Sequence, residues 1–236
     1  MLNVTSLREQ VYLYLREQMH TGALLPGSTI NPTELSEHLG ISKTPLRDAL
    51  IRLESEGFVE ILPRRGVRVN VVTLDDVKSF YEIIGHLEAG AILVAFDTMG
   101  PSTINRLEEL NQEMRDAIKN GEFDAYYDMN LDFHEVYLQL HDNKHLRRMI
   151  RPLKQRLYDF PRRSYIEEWE LRNCDEHDEF IDRIKRKDPE GAASVMRDVH
   201  WSYKVQEVFI RKFYHKLAEH LQAAQAQQRL SANLEI

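Results

Sequence analysis

The tightest constraint on this chain lies between His38 and Asn70, in HLGISKTPLRDALIRLESEGFVEILPRRGVRVN. Ser42 can cap a helix, and Pro45 is tolerated only within a first turn, where its missing N–H has no intrahelical partner to lose. Leu46, Leu50 and Leu53 then recur at helical spacing, and Gly57 ends the run. Beyond it, Val59 with Ile61 and Val67 with Val69 alternate on either side of PRRG, the pattern of a two-stranded hairpin. The preceding residues predict two more helices. One covers TSLREQVYLYLREQMHTG, with Leu7, Val11, Tyr14 and Leu15 on one face and Gly22 as its stop. A short second helix opens at NPTE, where Asn31 caps, Pro32 suits the first helical position and Glu34 stands three residues after the cap; it ends at Gly40.

Three helices and a hairpin in this order, with a tight HLGIS turn between the second and third, spell a winged helix-turn-helix. In such a module the N-terminus of the third helix enters the major groove of DNA. Lys43, Thr44 and Arg47 are then expected to face base edges and phosphates, and Arg64 and Arg65 at the hairpin tip to meet the backbone or the minor groove. Ser42 adds a hydroxyl and free helix-end N–H groups suited to a phosphate. The net charge of −7 points away from a polyanion, but it is unevenly spread. Residues 1–72 hold eight Lys+Arg and eight Asp+Glu, so the whole excess of acid belongs to the rest of the chain.

From about Leu74 the pattern is helical throughout. TLDDVKSFYEIIGHLEAGAILVAF reads as a central bundle helix and PSTINRLEELNQEMRDAIKNG as an amphipathic one, with further helices expected near 122–141, 143–160, 164–187 and 189–222 and a flexible tail over 223–236. The fold class is therefore mainly α: a winged helix over 1–72, then an all-α antiparallel bundle over 73–222. No unbroken run reaches the roughly 18 apolar residues of a membrane span. A single cysteine, Cys174, rules out an intrachain disulfide, and a cytoplasmic protein is expected.

Ten histidines remain to be placed. His20, His38, His141, His145, His215 and His220 lie near predicted ends or polar faces, and His86 fits either a face or the interior. His134 follows Asn130 by four residues, which puts both on one helix face about 40° apart. His177 and His200 each sit mid-helix among apolar neighbours, where a lone histidine is ordinarily a packed core residue.

SKTPLRDALIRLESEGFVEILPRRGVRV resembles the signature of GntR-type bacterial transcriptional regulators, densely over about thirty residues, with Lys43 in place of the usual arginine. By this resemblance the DNA-binding residues are Ser42, Lys43, Thr44, Pro45 and Arg47 on the helix and Arg64, Arg65 and Gly66 on the wing. Lysine keeps the charge and loses the planar fork that reads guanine. The bundle is similar to the FCD domain of the FadR-like subfamily, whose cavity holds a divalent metal through Asp-x-x-x-His and two later histidines. That pattern falls on Asn130, His134, His177 and His200, a set suited to zinc, or to nickel or manganese. Asn130 offers a neutral amide oxygen where the family often has a carboxylate, which implies a weaker hold on a cation. Ile84 stands where many relatives carry an arginine for an anionic effector. The resemblance implies a homodimeric regulator on a short DNA palindrome, controlled by a small-molecule effector such as an organic acid, with no membrane partner and no catalytic role. Two other readings stay open from the residues themselves: a constitutive DNA-binding dimer with structural histidines, and a metal-dependent enzyme.

Overall fold

A computed structural model describes residues 6–158 and 165–234. Its contacts divide the chain into two compact units, one built on the residues up to Thr73 together with 155–158, the end of the helix that begins at Lys144, and the stretch from Leu217, the other on 74–154 and 165–216.

In the first unit, α1 (Leu7–His20) starts where the Ser6 hydroxyl accepts from Glu9 N at 3.3 Å, and it buries Val11, Tyr12, Leu15 and Met19. Asn31 caps α2 (Pro32–His38): its Oδ1 accepts from Thr33 N, and its Nδ2 donates to Glu34 Oε1 at 2.6 Å. Helix α3 (Lys43–Ser55) follows the turn at Gly40 and buries Leu46, Ala49, Leu50 and Leu53 against α1. The hairpin is β2 (Val59–Leu62) with β3 (Gly66–Val69), paired Val59 to Val69 and Ile61 to Val67. The expected two-stranded wing is in fact three-stranded. A short β1 (Thr29–Ile30) pairs antiparallel with β3, so the order is β1-β3-β2. Phe58, Val59, Val67 and Val69 join the helix leucines in one apolar core.

The second unit is helical in all its regular elements: α4 (Leu74–Ala95), α5 (Pro101–Asn120), α6 (Phe123–Leu138), α7 (Lys144–Tyr158), α8 (Glu167–Lys185), α9 (Pro189–Ser194) and α10 (Tyr203–Leu234). Gly121, in the left-handed region at φ 73°, ends α5. Helix α5 packs on α6 and α8, and α4 on α6 and α9. By length and composition Leu74–Thr98 could cross a membrane, but half of its apolar window is buried among the other helices and Glu88 at its middle is fully buried. It is a core helix.

Two expectations need correction. The single helix expected over 189–222 is broken by a π-helical turn at Val195–His200, closed by Trp201 N donating to Met196 O at 2.9 Å. The stretch read as a flexible tail continues α10 as far as Leu234, beyond which residues 235–236 lie outside the described part. The residues of α10 from Leu217 group with the first unit.

Candidate nucleic-acid interface and metal centre

The cations of the first unit fall into two sets. Arg52 bonds Glu9 and Glu56 and lies 3.6 Å from the Tyr12 ring centroid, Arg68 pairs with Glu60, and Arg16 donates to the Tyr12 hydroxyl. These are tied into the fold. Lys43 and Arg47 on α3 and Arg64 and Arg65 at the hairpin tip are exposed, and none of their side chains makes an ion pair or hydrogen bond among the described residues. Arg8 on α1 is a fifth such cation, which helix spacing alone did not single out.

Local geometry sets these side chains up. Ser42 is extended at φ −71°, ψ 158° and its hydroxyl makes no capping bond, so it and the first N–H groups of α3 point to solvent at the positive end of the helix dipole. Thr44 is exposed beside them, and Pro45 is half-buried in the first turn. At the tip, Arg64 adopts φ 62°, and Gly66 at φ 93° is required because a Cβ there would meet Ile30 O at 2.7 Å. Strand β1 thus presses the wing turn into shape.

The predicted ligand histidines, far apart in sequence, meet inside the second unit. His134 on α6, His177 on α8 and His200 at the end of the π turn are all buried, and their ligand atoms lie within 4.8 Å of one another. The π turn gives the last of these its place. One extra residue per turn aims both His200 and Trp201 inward, and Gly85 on α4 admits the turn, since a Cβ there would lie 3.0 Å from Trp201 Cβ. Asn130 is buried one turn before His134, on the same helix.

Each imidazole is oriented through Nδ1. His134 Nδ1 is 3.0 Å from Glu88 Oε2, His200 Nδ1 is 3.0 Å from Glu176 Oε2, and His177 Nδ1 is 3.3 Å from Asn111 Oδ1. Asn111 spends its amide donors on Cys174 O and Asp178 Oδ1, which leaves its oxygen to accept from His177. An ionised carboxylate can only accept, so Nδ1 carries the proton and Nε2 keeps a lone pair in each ring. The Nε2 atoms of His134 and His177 are fully buried without a hydrogen-bond partner. Such an orphaned buried pair is costly unless something binds it. Three imidazoles with acceptors behind them are the arrangement that holds a transition metal, so this set fits a divalent cation.

Electrostatics agree with that fit. Burial, and then the nearby Lys154 ammonium, lower His134 to about 3 against the opposing pull of Glu88. Burial and the neighbouring His200 and His134 rings hold His177 well below the usual imidazole range. Both therefore stand neutral and ready to ligate at physiological pH. Burial alone would push the Glu88 carboxyl up, but Lys154 and His134 outweigh it and hold it low. Glu88 also accepts from Tyr137 Oη at 2.6 Å and Trp201 Nε1 at 2.8 Å, and its other oxygen pairs with the buried Lys154.

Sequence reasoning missed Glu88, Asn111, Glu176 and Gly85, because their roles depend on helices that meet only in the folded bundle. His86 turns out to be exposed, with Nδ1 at 2.8 Å from Glu82 O. Ile84 is fully buried in the core. Another buried acid, Glu170, accepts from Tyr127 Oη at 3.0 Å and Asn173 Nδ2 at 3.2 Å, and burial pushes its carboxyl up in spite of those donors. A raised carboxyl favours the folded state below its unfolded value of about 4.5 and loses that advantage as pH rises through the folded value. Glu170→Gln should therefore raise the melting temperature at pH 8, by a margin that shrinks toward pH 4.5. A gain independent of pH would show that the carboxyl is not the strained group.

Residues 7–69 match the family described as bacterial regulatory proteins, gntR family, and residues 79–200, more than half of the chain, match the FCD domain. Curated relatives include the HTH-type transcriptional regulator YdhC of Bacillus subtilis, 28% identical over 185 residues that cover 78% of this chain and 83% of that protein. The HTH-type transcriptional regulator McbR of Escherichia coli is 28% identical over 199 residues, 82% of this chain and 89% of McbR. Among solved structures, E. coli McbR/YncC superposes with a TM-score of 0.68 over 90% of this chain and 99% of its own, at 24% identity. A GntR regulator from Rhodococcus sp. RHA1 gives 0.63 over 94% and 97%, at 18% identity. At those identities the structural likeness speaks to the fold.

Proposed function

The chain belongs to the GntR family of bacterial regulatory proteins, in the branch that carries an FCD domain, and from that we propose how its two units divide their task. It is a DNA-binding transcriptional regulator with a ligand-sensing C-terminal domain. The first unit takes the operator. Lys43, Thr44 and Arg47 read the major groove, Ser42 and the free N–H groups of α3 take a phosphate, and Pro45 holds the first turn in shape. Arg64 and Arg65, aimed by Gly66, bind the backbone or the minor groove. What carries this reading is the sorting of cations: Arg16, Arg52 and Arg68 are engaged by partners within the fold, while the side chains of Lys43, Arg47, Arg64 and Arg65 are left exposed and unpaired at the two places a winged helix offers to DNA.

The second unit senses. Asn130, His134, His177 and His200 would hold a divalent metal, zinc foremost, with nickel or manganese as alternatives; three imidazoles and one amide leave coordination positions open to a small organic acid. When bound, the metal supplies a Lewis-acidic anchor for that effector. The chain's own contribution is to fix the rings: Glu88, Asn111 and Glu176 set the tautomers, and the buried walls keep water from the Nε2 atoms. We further assign a cytoplasmic homodimer acting on a short palindrome, in keeping with the two half-sites that winged helices of this kind recognise. The histidines serve sensing and not turnover, in line with relatives named as regulators.

The direct test is selection of duplexes from a random pool by the purified protein. It should enrich a palindrome whose half-sites are about one helical turn apart, or a multiple of it; a pool left without any enriched sequence would end the reading. Two variants then probe the interface. Arg47→Ala should weaken operator binding by about 1–3 kcal/mol without altering the fold, because the side chain is exposed and unpaired. Titration with the selected duplex checks it, and an unchanged affinity removes Arg47 from the interface. Replacing Arg64 and Arg65 together with Ala should make the slope of log K against log salt shallower by about 0.9 for each phosphate that is no longer neutralised. An unaltered slope would place the wing tip away from DNA.

A further inference from the structure

We propose that one face of α7 is a second DNA-contacting surface, a stripe of Lys144, Arg147, Arg148 and Arg151 that takes the phosphate backbone flanking the sequence read by the winged helix; this rests on the operator reading above. Of the chain's 31 Lys+Arg, six fall within the 15 residues of α7, and none of its 38 Asp+Glu does. The rest of the chain is thus left with 25 cations against 38 acids, a net −13. Two of the six serve the fold: Lys154 is buried against Glu88, and Arg156 lies so close to Gly57 that a Cβ there would meet its Nη1 at 2.7 Å. The other four are spaced by three, one and three residues, which gathers them into an arc of about 100°. Lys144, Arg148 and Arg151 are exposed and Arg147 is half-buried, and none of the four side chains makes an ion pair or hydrogen bond among the described residues.

The rest of α7 is an ordinary packed helix. Leu146, Ile150, Leu153 and Leu157 take the opposite side and are buried or half-buried, and Asn143 Oδ1 caps the start by accepting from His145 N at 3.1 Å and Leu146 N at 3.3 Å. Only the charges are misplaced for a helix that meets water alone. A solvated face ordinarily mixes both signs, as the i, i+4 pairs Arg172 with Glu176, Arg183 with Glu179 and Arg211 with Glu207 do. On α7 the corresponding neighbours are alike: Lys144 and Arg148, and Arg147 and Arg151, stand four apart and repel. The first turn holds no acid either, so Lys144 opens the helix at the positive end of its dipole, where a cation is unfavourable.

A polyanion relieves both costs, and DNA is the polyanion that the other end of this helix serves. From Gln155 onward α7 groups with the winged helix, where Arg16 Nη1 donates to Gln155 Oε1 at 2.9 Å. Residues 1–72 balance eight Lys+Arg against eight Asp+Glu, so the winged helix brings no net charge to draw a duplex in, and the acid excess of the chain pushes one away. The stripe supplies the missing attraction. Three of its four cations are arginine, whose planar fork matches phosphate oxygens. From Lys144 to Arg151 it runs about 10 Å, and one DNA strand presents a phosphate about every 3.4 Å, so about three phosphates come within its reach. Contacts of this kind add affinity and carry no sequence information.

Two duplexes provide the test: the palindrome selected from the random pool, trimmed to its core, and the same palindrome extended by about one helical turn on each side. The full chain and its Arg147→Gln/Arg148→Gln/Arg151→Gln variant are titrated against both over a range of salt. On the extended duplex the variant should bind about tenfold more weakly or worse near about 0.1 M salt, with a slope of log K against log salt shallower by about 0.9 for each phosphate released, so that the two lines converge toward about 1 M. On the core duplex the two proteins should agree, and the preference for the palindrome over a scrambled core should be unchanged. Lysine at the same three positions should keep the wild-type slope, since the contact is one of charge. The melting temperature should not fall in either variant, because the substitutions remove repulsion and break no bond.

Wild-type affinity and slope of the glutamine variant on the extended duplex would overturn the proposal. So would a loss confined to phosphatidylglycerol vesicles or to polyglutamate, which would give the stripe to a membrane surface or to an acidic protein. These results are separable from the operator reading. If Arg47→Ala weakens operator binding while the glutamine variant binds both duplexes as the wild type does, the stripe falls and the operator reading stands. If the pool yields no palindrome, while a mixed-sequence duplex is held about tenfold more weakly by the glutamine variant at low salt, the operator reading falls and the stripe stands.

Discussion

Glu88→Leu should destabilise the second unit by about 3–5 kcal/mol, because it leaves the Lys154 ammonium buried with its charge uncompensated. Glu88 stands at the centre of four donors: Lys154, His134, Tyr137 and Trp201. Three of them are neutral and would lose only an acceptor, each at the cost of a buried unsatisfied group. The ammonium would lose its counter-ion, and burial already lowers its affinity for a proton, with Glu88 opposing that trend. The effect therefore divides. Adding Lys154→Met to Glu88→Leu should recover about 2 kcal/mol or more, while the orphaned donors keep the remainder. Urea unfolding of the single and double variants measures both quantities. A Glu88→Leu protein within about 1 kcal/mol of wild type would show that Lys154 finds water or another partner, and the account of the buried pair would fall.

The same carboxylate shows where sequence reading stops. In the first unit the signals are local: Asn31 with Glu34, Ser42 with Pro45 and the alternating valines around PRRG each act within a few residues, and helices and hairpin lie where they predict. Strand β1 escaped because two residues, Thr29 and Ile30, carry no period, and their pairing with β3 is made across almost forty positions. In the second unit the i, i+4 spacing put Asn130 and His134 on one helix face, but only the resemblance made them candidate ligands. His177 and His200 became candidates in the same way, since nothing local distinguishes a ligand from a packed imidazole. Glu88, Asn111 and Glu176 look like ordinary polar residues of amphipathic helices until α4, α5, α6 and α8 come together. The π turn that aims His200 has no residue pattern of its own, and Gly85 is intelligible only once Trp201 is seen against it.

Metal binding tests whether that convergence is a site or only packing. Protein stripped with a chelator and titrated with zinc should take up one ion per chain. His134→Ala, His177→Ala and His200→Ala should each loosen it about tenfold or more, since each removes one of three imidazole donors. Tenfold is about 1.4 kcal/mol, well within the resolution of competitive chelator titration. Glu176→Gln should cost a smaller factor than His200→Ala, as it removes only the acceptor that orients the His200 ring. Asn130→Asp should change affinity in the opposite sense, because a carboxylate gives a divalent cation more charge than an amide oxygen and stands one turn from His134 on the same face. Saturating zinc should also raise the unfolding free energy by about 2.7 kcal/mol at a hundred times its dissociation constant, provided the ion binds the folded chain alone. If the wild type takes up no ion and Asn130→Asp gains none, the buried Nε2 atoms of His134 and His177 are a cost borne by the bundle, and the effector must be read by other residues.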